Sequence, residues 1–208
     1  PEPIANLHNG TVMTERLAGS CARGKTPEED IAQAQALRSN AKAIDEHNML
    51  VDDSRNEFGY ISKIGTVDVK GYLNVVRCSQ VMHLASTITG ELKEGMNALD
   101  IISAITPSGA VSGAPKIRSC EVINEIEQER RGIYGAAFGY IGFDGDADFF
   151  VFIRSAFLKA GEITVRAGGG IVIDSVPEEE YKECLLKAEA VLNAIKLAAE
   201  EKRNDSLN

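Results

Sequence analysis

Residues 167–188 read AGGGIVIDSVPEEEYKECLLKA, a glycine triplet followed by a short apolar run and the acidic start of a helix. At roughly 100° per residue, Glu180, Glu183 and Lys187 fall within about 60° of arc on one helix face. The same side of the helix carries the less polar residues Cys184, Val191, Ile195 and Ala198. The sequence therefore predicts a helix over about residues 178–200 with two carboxylates and an ammonium on its inward side.

Charges on the inward side of a helix need partners, because an unpaired carboxylate or ammonium away from water costs several kcal/mol. A hard divalent cation together with an anionic ligand would satisfy all three groups. The alternative is that the acidic run from Glu178 to Glu180 only complements the positive end of the helix macrodipole. Helical spacing alone leaves both interpretations open.

The composition is that of an acidic globular protein, with 44% hydrophobic residues, 25% charged residues and a formal net charge of −9. This charge argues against nucleic acid or an anionic membrane as a partner, since both are bound chiefly by clustered Lys and Arg. The four cysteines form no CxxC pair, so we expect neither a zinc site nor a disulfide framework. The sequence offers no secretory signal and no apolar run near 18 residues, and we expect a cytoplasmic protein.

Local patterns predict a mixture of strands and helices. Asn9-Gly10 favours the positive φ angles of a tight hairpin turn between two strands within residues 3–17. Thr26, Pro27 and Glu29 have the spacing of a helix cap, a first helical residue and a capping box. Further patterns predict helices near 41–56, 95–105 and 115–128, β structure from 65 to 92, and strands at 132–143, 149–158 and 162–173.

Arg154 stands out within the predicted strand FFVFIRSAFL, residues 149–158. Both alternating faces of this segment are apolar, which is typical of a strand covered on both sides. A guanidinium in such a strand must meet a carboxylate. The partner is either a buried Glu or Asp of the protein or a substrate carboxylate held by a bidentate clamp.

Eight ordered segments carry a family resemblance: ERLAGS (15–20), DEHNMLVDDSRNEFG (45–59), VVRCSQVMHL (75–84), PSGAVSGAPKIR (107–118), RRGIYGAAFGYIGFDG (130–145), FIRSAF (152–157), AGGGIVIDS (167–175) and EYKECLLKA (180–188). Together they resemble the chorismate-binding enzymes, in particular the branch formed by the large subunit of anthranilate synthase. Members of this family are larger and have an additional N-terminal region. We therefore expect the C-terminal part of such a subunit, with a chorismate-binding domain over residues 1–200 and a charged tail over 201–208.

The resemblance implies an α+β fold of antiparallel sheets packed as a sandwich with flanking helices, incomplete without the N-terminal region. It also implies chorismate and Mg²⁺ in a cleft, and Mg²⁺ prefers oxygen ligands. The implied metal-binding residues are Glu46, Glu183 and, through water, Glu180. The implied substrate-binding residues are Tyr134, Arg154 and Lys187, which would bind carboxylate groups, and Gly168, Gly169 and Gly170, whose backbone would approach the ligand closely.

For the chemistry, the resemblance implies that a nucleophile adds at C2 of the chorismate ring as the 4-hydroxyl departs. Hydroxide is a poor leaving group, so a general acid is needed. Glu2 occupies the position of that acid, although a residue at a chain end is also a candidate for disorder. In anthranilate synthases ammonia adds to give aminodeoxyisochorismate, and pyruvate is then eliminated. His83 matches the histidine associated with this second step.

Two positions bear on which reaction is catalysed. Aminodeoxychorismate synthases of the family carry a nucleophilic lysine where this chain has Ala18, so Ala18 favours direct attack by ammonia. Ala43 stands where the family has a glutamate three residues before Glu46, which removes one expected carboxylate from that helix face.

The resemblance therefore implies a magnesium-dependent anthranilate synthase segment that acts in tryptophan biosynthesis. Its ammonia would come from glutamine through a partner glutaminase subunit in a hetero-oligomer. The alternatives are another chorismate-utilising reaction, namely that of an aminodeoxyisochorismate, aminodeoxychorismate or isochorismate synthase, and a non-catalytic binding fragment.

Overall fold

A computed structural model describes residues 2–78 and 81–205, with side chains described as far as residue 200. The helices are α1 (Pro27–Arg38), α2 (Ala41–Ile61), α3 (Ala98–Ile105), α4 (Gly109–Ser112), α5 (Lys116–Ile126) and α6 (Pro177–Asp205). The strands are β1 (Pro3–His8), β2 (Thr11–Ala22), β3 (Asp68–Arg77), β4 (Val81–Glu91), β5 (Ala137–Ile141), β6 (Ala147–Val151), β7 (Ala156–Lys159) and β8 (Glu162–Val165). The predicted α+β class with antiparallel sheets is confirmed.

These elements form two compact units. The sheet unit comprises Glu2–Arg130 and Ala136–Val151, and the helix unit comprises Arg131–Gly135 and the residues from Phe152 on. The sheet unit contains a six-stranded sheet in the order β3-β4-β2-β1-β6-β5, and the helix unit contains the β7-β8 hairpin and α6. The expectation of one domain over 1–200 and a charged tail over 201–208 stays a prediction; the backbone of α6 continues to Asp205, and residues 206–208 lie outside the described residues.

The hairpin predicted at Asn9-Gly10 is confirmed and starts the six-stranded sheet. Asn9 and Gly10 have φ angles of 48° and 75°, and Leu7 pairs with Val12 across the turn. Two positive φ angles give a turn whose twist matches that of the flanking strands. Along β2 every second side chain points inward, so that Val12, Thr14 and Arg16 are buried.

Helix α2 covers this inward face of the sheet. Its buried residues recur every three or four positions, which is the spacing of a helix with one core-facing side: Ala43, His47, Val51, Ser54, Glu57, Phe58 and Ile61. The helix was predicted to end near Asn56, but Phe58 and Ile61 extend the same face and are 0% and 1% exposed. Full burial of each such side chain stabilises the fold by about 1.5–3 kcal/mol, which favours one more helical turn.

Helix α1 begins at the predicted cap. The Thr26 hydroxyl accepts from the Glu29 N–H at 3.3 Å, and Pro27 is the first helical residue. The Glu29 carboxylate accepts from the Lys25 N–H at 2.8 Å, one residue before the position that a capping box would use. The loop before the helix is tight, and a Cβ on Gly24 would lie 2.2 Å from the backbone N of Asp30.

Gly24→Ala is expected to destabilise the fold by about 1–3 kcal/mol, because the added methyl group meets backbone rather than a movable side chain. Gly59→Ala is the matched control, since Gly59 lies within α2 and a Cβ there would meet nothing within 4 Å. This control is expected to stabilise the fold by about 0.5–1 kcal/mol through higher helix propensity. Urea unfolding followed by circular dichroism measures both changes, and equal effects of the two substitutions would contradict the prediction.

The three C-terminal strands are shorter than predicted. Residues 149–158 do not form one strand: β6 ends at Val151 and β7 begins at Ala156. Between them Arg154 adopts a φ of 53°, in the left-handed region that interrupts a strand. Arg154 is also exposed. The expectation of a doubly covered strand with a buried arginine was therefore wrong.

Candidate functional site

The first turns of α6 carry the charged face that the sequence analysis identified. Glu180 and Lys187 are half-buried, as are Cys184 and Val191 on the same side. The inward orientation predicted for Glu180 and Lys187 is confirmed. For Glu183 it was wrong, because this residue lies at the edge of the face with 53% of its side chain exposed.

The charges on this face have partners within the helix unit. Nζ of Lys187 pairs with Oε1 of Glu183 one turn earlier and also donates to the carbonyl oxygen of Gly168 at 3.3 Å. Oε1 of Glu180 accepts from the Ser175 hydroxyl at 2.7 Å. Lys187 and Glu183 thus neutralise each other, whereas Glu180 has a neutral donor.

Gly168 and Gly169 of the glycine triplet lie close to Tyr134 and Glu180. A Cβ on Gly168 would be 3.0 Å from the Tyr134 hydroxyl, and a Cβ on Gly169 would be 3.4 Å from Oε2 of Glu180. The first distance is tight for a real side chain, and the second is at the lower limit of ordinary van der Waals contact. At Gly170 a Cβ would meet nothing within 4 Å, so the close approach involves the first two glycines.

Arg154 joins the same group of residues. Its Nη1 donates to the carbonyl oxygen of Lys187 at 3.3 Å, which places the exposed guanidinium beside α6. The helix unit therefore brings together seven of the predicted site residues: Tyr134, Arg154, Gly168, Gly169, Glu180, Glu183 and Lys187. Arg154, the Tyr134 hydroxyl and the glycine backbone suit carboxylate groups, whereas Lys187 is paired with Glu183.

Of the other predicted site residues, Gly170 also lies in the helix unit, while Glu2, Glu46 and His83 belong to the sheet unit. Glu2 immediately precedes β1, Glu46 is on α2, and His83 is on β4. Nδ1 of His83 lies 2.9 Å from the Ser20 hydroxyl on β2. Glu46 is half-buried, with Nζ of Lys42 at 4.0 Å.

A bulge in β2 separates Ala18 from Ser20, with Gly19 at a φ of 71°. A Cβ on Gly19 would lie 2.9 Å from Cβ of Ala43. Ala43 is 7% exposed within an apolar cluster that also contains Met82 and Leu84. A glutamate at position 43 would bury its charge in this cluster, so alanine suits the packing of this chain.

Metal binding can be assessed from the donor groups. Among the described side chains, no group of three or more His, Cys, Asp and Glu residues is placed to hold a metal ion. Glu180 and Glu183 nevertheless present carboxylate oxygens three residues apart on one helix. Mg²⁺ is commonly held by one or two carboxylates and keeps several waters, so these two residues fit its chemistry.

A buried charge network in the sheet unit was missed by the sequence analysis. Arg16 is 1% exposed, and its Nη2 lies 3.6 Å from Oε2 of Glu57. Oε1 of Glu57 lies 2.5 Å from Nζ of Lys116. The sequence feature that could have revealed the burial of Arg16 is the two-residue period of β2, which places Arg16 on the same face as Val12 and Thr14. We refer to these three charged residues as the Arg16–Glu57–Lys116 network.

Burial is the largest influence on the pKa values of Arg16, Asp53 and Glu57. It raises the pKa of the Glu57 carboxyl, although Lys116 and Arg16 act in the opposite direction. Burial also raises the pKa of Asp53. It lowers the pKa of the Arg16 guanidinium, a shift opposed by the negative charges of Glu57, Glu2 and Asp53. Two cations and three carboxylates therefore influence one another in a volume with little water.

Comparisons with known proteins agree with these motifs. The family model described as chorismate binding enzyme matches residues 1–193. Anthranilate synthase component 1 of Aquifex aeolicus is 46% identical over 200 residues, which are 96% of this chain and 40% of the relative. The corresponding protein of Acetivibrio thermocellus is 48% identical over 200 residues, with the same two coverages. The chain thus spans about 40% of the length of these curated relatives.

Solved structures of related enzymes have a similar fold. Anthranilate synthase component I from Streptococcus pneumoniae superposes with a TM-score of 0.84 at 42% identity, covering 92% of this chain and 42% of that one. The menaquinone-specific isochorismate synthase from Escherichia coli superposes with a TM-score of 0.82 at 27% identity, covering 92% and 44%. None of the helices in the described part of the chain combines the length and apolar character needed to cross a membrane.

Proposed function

Since this chain belongs to the chorismate-binding enzyme family, we propose that it is a segment of an anthranilate synthase large subunit. In this proposal chorismate and ammonia give anthranilate and pyruvate through aminodeoxyisochorismate. The observation that carries it is the grouping of Tyr134 and Lys187 at the backbone of Gly168, with Arg154 bound to the carbonyl oxygen of Lys187. Chorismate is a dicarboxylate, and these groups offer two cations and a hydroxyl for its carboxylates.

The first step joins the nitrogen of ammonia to C2 of the ring and breaks the bond between C4 and its hydroxyl. Glu2 supplies the proton with which that hydroxyl leaves as water. Ala18 at the β2 bulge has no nucleophilic side chain, which favours direct attack by ammonia. In the second step the proton at C2 is removed and the bond between C3 and the enolpyruvyl oxygen breaks, so that pyruvate leaves and the ring becomes aromatic. We assign the removal of this proton to His83, whose Nδ1 lies 2.9 Å from the Ser20 hydroxyl.

Mg²⁺ is part of the proposal, with Glu180, Glu183 and Glu46 as the residues that would hold it. The ion would neutralise the ring carboxylate of chorismate and fix its orientation. Lys187 and Arg154 bind carboxylate groups, and Gly168 and Gly169 let the backbone lie close to the ligand. We further propose a glutaminase partner subunit that supplies ammonia, a hetero-oligomeric assembly, a role in tryptophan biosynthesis and a cytoplasmic location.

The test is an assay with chorismate, Mg²⁺ and ammonium, followed by the fluorescence of anthranilate. It is run on the 208-residue chain and on the full-length product of its coding sequence. A non-aromatic amino product or isochorismate would instead assign another chorismate-utilising reaction. Chorismate binding that is indifferent to Mg²⁺ and gives no product would identify a non-catalytic fragment.

A pair of lysines on α6 tests the substrate site within the same assay. Lys187→Gln is expected to raise KM for chorismate roughly tenfold or more, because a charge-assisted contact worth about 1.5–3 kcal/mol is lost. Lys182→Gln makes the same chemical change at an exposed position of the helix and is expected to leave KM unchanged. Equal KM values for the two variants would show that Lys187 does not contribute to chorismate binding.

A further inference from the structure

An open groove of about 250 Å³ lies between α1 and β3 in the sheet unit. The residues of its lining are apolar or basic apart from one glutamine: Ile31, Ala34, Gln35, Arg38, Val75 and Arg77. The α1 residues recur at the spacing of one helix face, and the two β3 residues share one face of their strand. Ala34 is 7% exposed, whereas Ile31 is 54% exposed. The groove therefore leaves an apolar side chain more than half open to solvent.

The strand β3 presents unused main-chain groups beside this groove. The order of the six-stranded sheet places β3 at one end. The Cys78 N–H donates to the carbonyl oxygen of Val81 at 2.8 Å, which marks these two residues as a hydrogen-bonded pair. Bonded and non-bonded pairs alternate in an antiparallel ladder, so Val75 and Arg77 direct their N–H and C=O groups away from β4. Such groups on an edge strand can pair with a further strand.

Three arginines at the groove share one aspartate. The carboxylate of Asp30 accepts from Arg23 at 2.6 and 3.1 Å and from Nε of Arg77 at 3.1 Å. The terminal nitrogens of Arg77 make no hydrogen bond within the described part of the chain. Arg38 is exposed and has no acidic partner among the described side chains. Among these four groups positive charge exceeds negative charge, in a chain whose net charge is −9.

The two arginines of the lining lie toward opposite ends of α1. Arg77 contacts Asp30 in the first turn, and Arg38 is the last residue of the helix. The eight steps between Asp30 and Arg38 correspond to roughly 12 Å at 1.5 Å per residue. An extended chain covers this distance in about four steps of 3.3 Å, and alternate side chains of a strand point to the same side. Acidic residues at positions one and five and an apolar residue at position three therefore match the groove.

We propose that the groove between α1 and β3 binds an extended acidic segment of a partner protein, which adds as a strand to the edge of β3. The main chain of the segment pairs with Val75 and Arg77, and its central apolar side chain covers Ile31. Its two carboxylates contact Arg38 and Arg77. Basic side chains on an edge strand commonly discourage unwanted pairing, and here their charge selects an acidic strand. This binding is independent of the chorismate reaction.

The test is an NMR titration of the 208-residue chain with a capped peptide that contains Glu-Thr-Val-Thr-Glu. We expect the amide resonances of Val75 and Arg77 to shift. At saturation, hydrogen exchange of these two N–H groups is expected to slow by roughly tenfold or more, because strand addition gives them acceptors. The same peptide with lysines in place of its glutamates is expected to cause no shift. Absence of binding at millimolar peptide, or binding that leaves both amides unprotected, would overturn the proposal.

A pair of arginine variants tests the charge selection. Arg38→Gln is expected to weaken binding of the acidic peptide roughly tenfold, because a charge-assisted contact is lost. Arg118→Gln makes the same change at a side chain of α5 that is 62% exposed and is expected to leave the affinity unchanged. Equal affinities of the two variants would contradict the proposal. It would also be overturned if acetate alone shifted the same amides, which would indicate a small-anion site, or if sedimentation showed a dimer that Arg38→Gln dissociates, which would make a second copy the occupant.

Discussion

Glu57→Ala is expected to reduce the free energy of unfolding by about 3–5 kcal/mol, because it leaves two cations without their shared carboxylate. The side chains of Arg16 and Glu57 are 2% and 5% exposed, so water has little access to the cation that loses its partner. Lys116 is 19% exposed and loses the 2.5 Å contact that ties the start of α5 to α2. Urea unfolding monitored by circular dichroism measures the loss.

The matched control is Glu121→Ala on α5. Glu121 lies 2.9 Å from Arg118, and both side chains are more than half exposed. Exposed pairs contribute about 0–1 kcal/mol, since water screens them and their side chains lose entropy on pairing. If Glu57→Ala cost no more than Glu121→Ala, the buried network would have no role in stability.

The helix face at Glu180 and Lys187 was predictable because its geometry is local. A helix fixes the angle between side chains three, four and seven residues apart, and the sequence alone supplies that spacing. The glycine triplet added a second local signal, since glycines permit close approach of a backbone. The family motifs, rather than spacing, linked this face to Tyr134 and Arg154.

Arg154 illustrates what such patterns do not reveal. Its segment has the composition of a strand buried on both faces, yet one residue in the left-handed region ends β6 and exposes the guanidinium. A single backbone angle is not encoded in apolar periodicity.

Long-range pairs cannot be predicted from local patterns either. Arg16 and Glu57 are 41 positions apart, and only the packing of α2 on β2 brings them together.

Ala43 has a packing role in the structure that the motif does not show. Compared with the family pattern, it is a missing carboxylate near the proposed metal-binding Glu46. In the sheet unit it fills a tight position opposite Gly19, within 2.9 Å of where a Cβ on that glycine would be. Replacement by glutamate would add both volume and a buried charge, so the loss of the carboxylate and the packing of the β2 bulge are coupled.

His83→Gln is expected to reduce the rate of anthranilate formation by roughly 10²- to 10⁴-fold, the range for loss of a general acid or base. Consumption of chorismate is expected to persist, because the first step uses Glu2 rather than His83. A non-aromatic amino product should therefore accumulate. Anthranilate fluorescence and chromatography of the remaining chorismate measure the two steps separately.

Ser20→Ala separates the orientation of His83 from its chemistry. The Ser20 hydroxyl lies 2.9 Å from Nδ1, so its loss removes one hydrogen bond that orients the imidazole ring while leaving the proton-transfer group in place. The rate of aromatisation should fall only about tenfold, the equivalent of one ordinary hydrogen bond. If His83→Gln slowed both steps equally, the histidine would act on binding or folding. If both variants formed anthranilate at the wild-type rate, the proton transfer would have to be assigned to another residue.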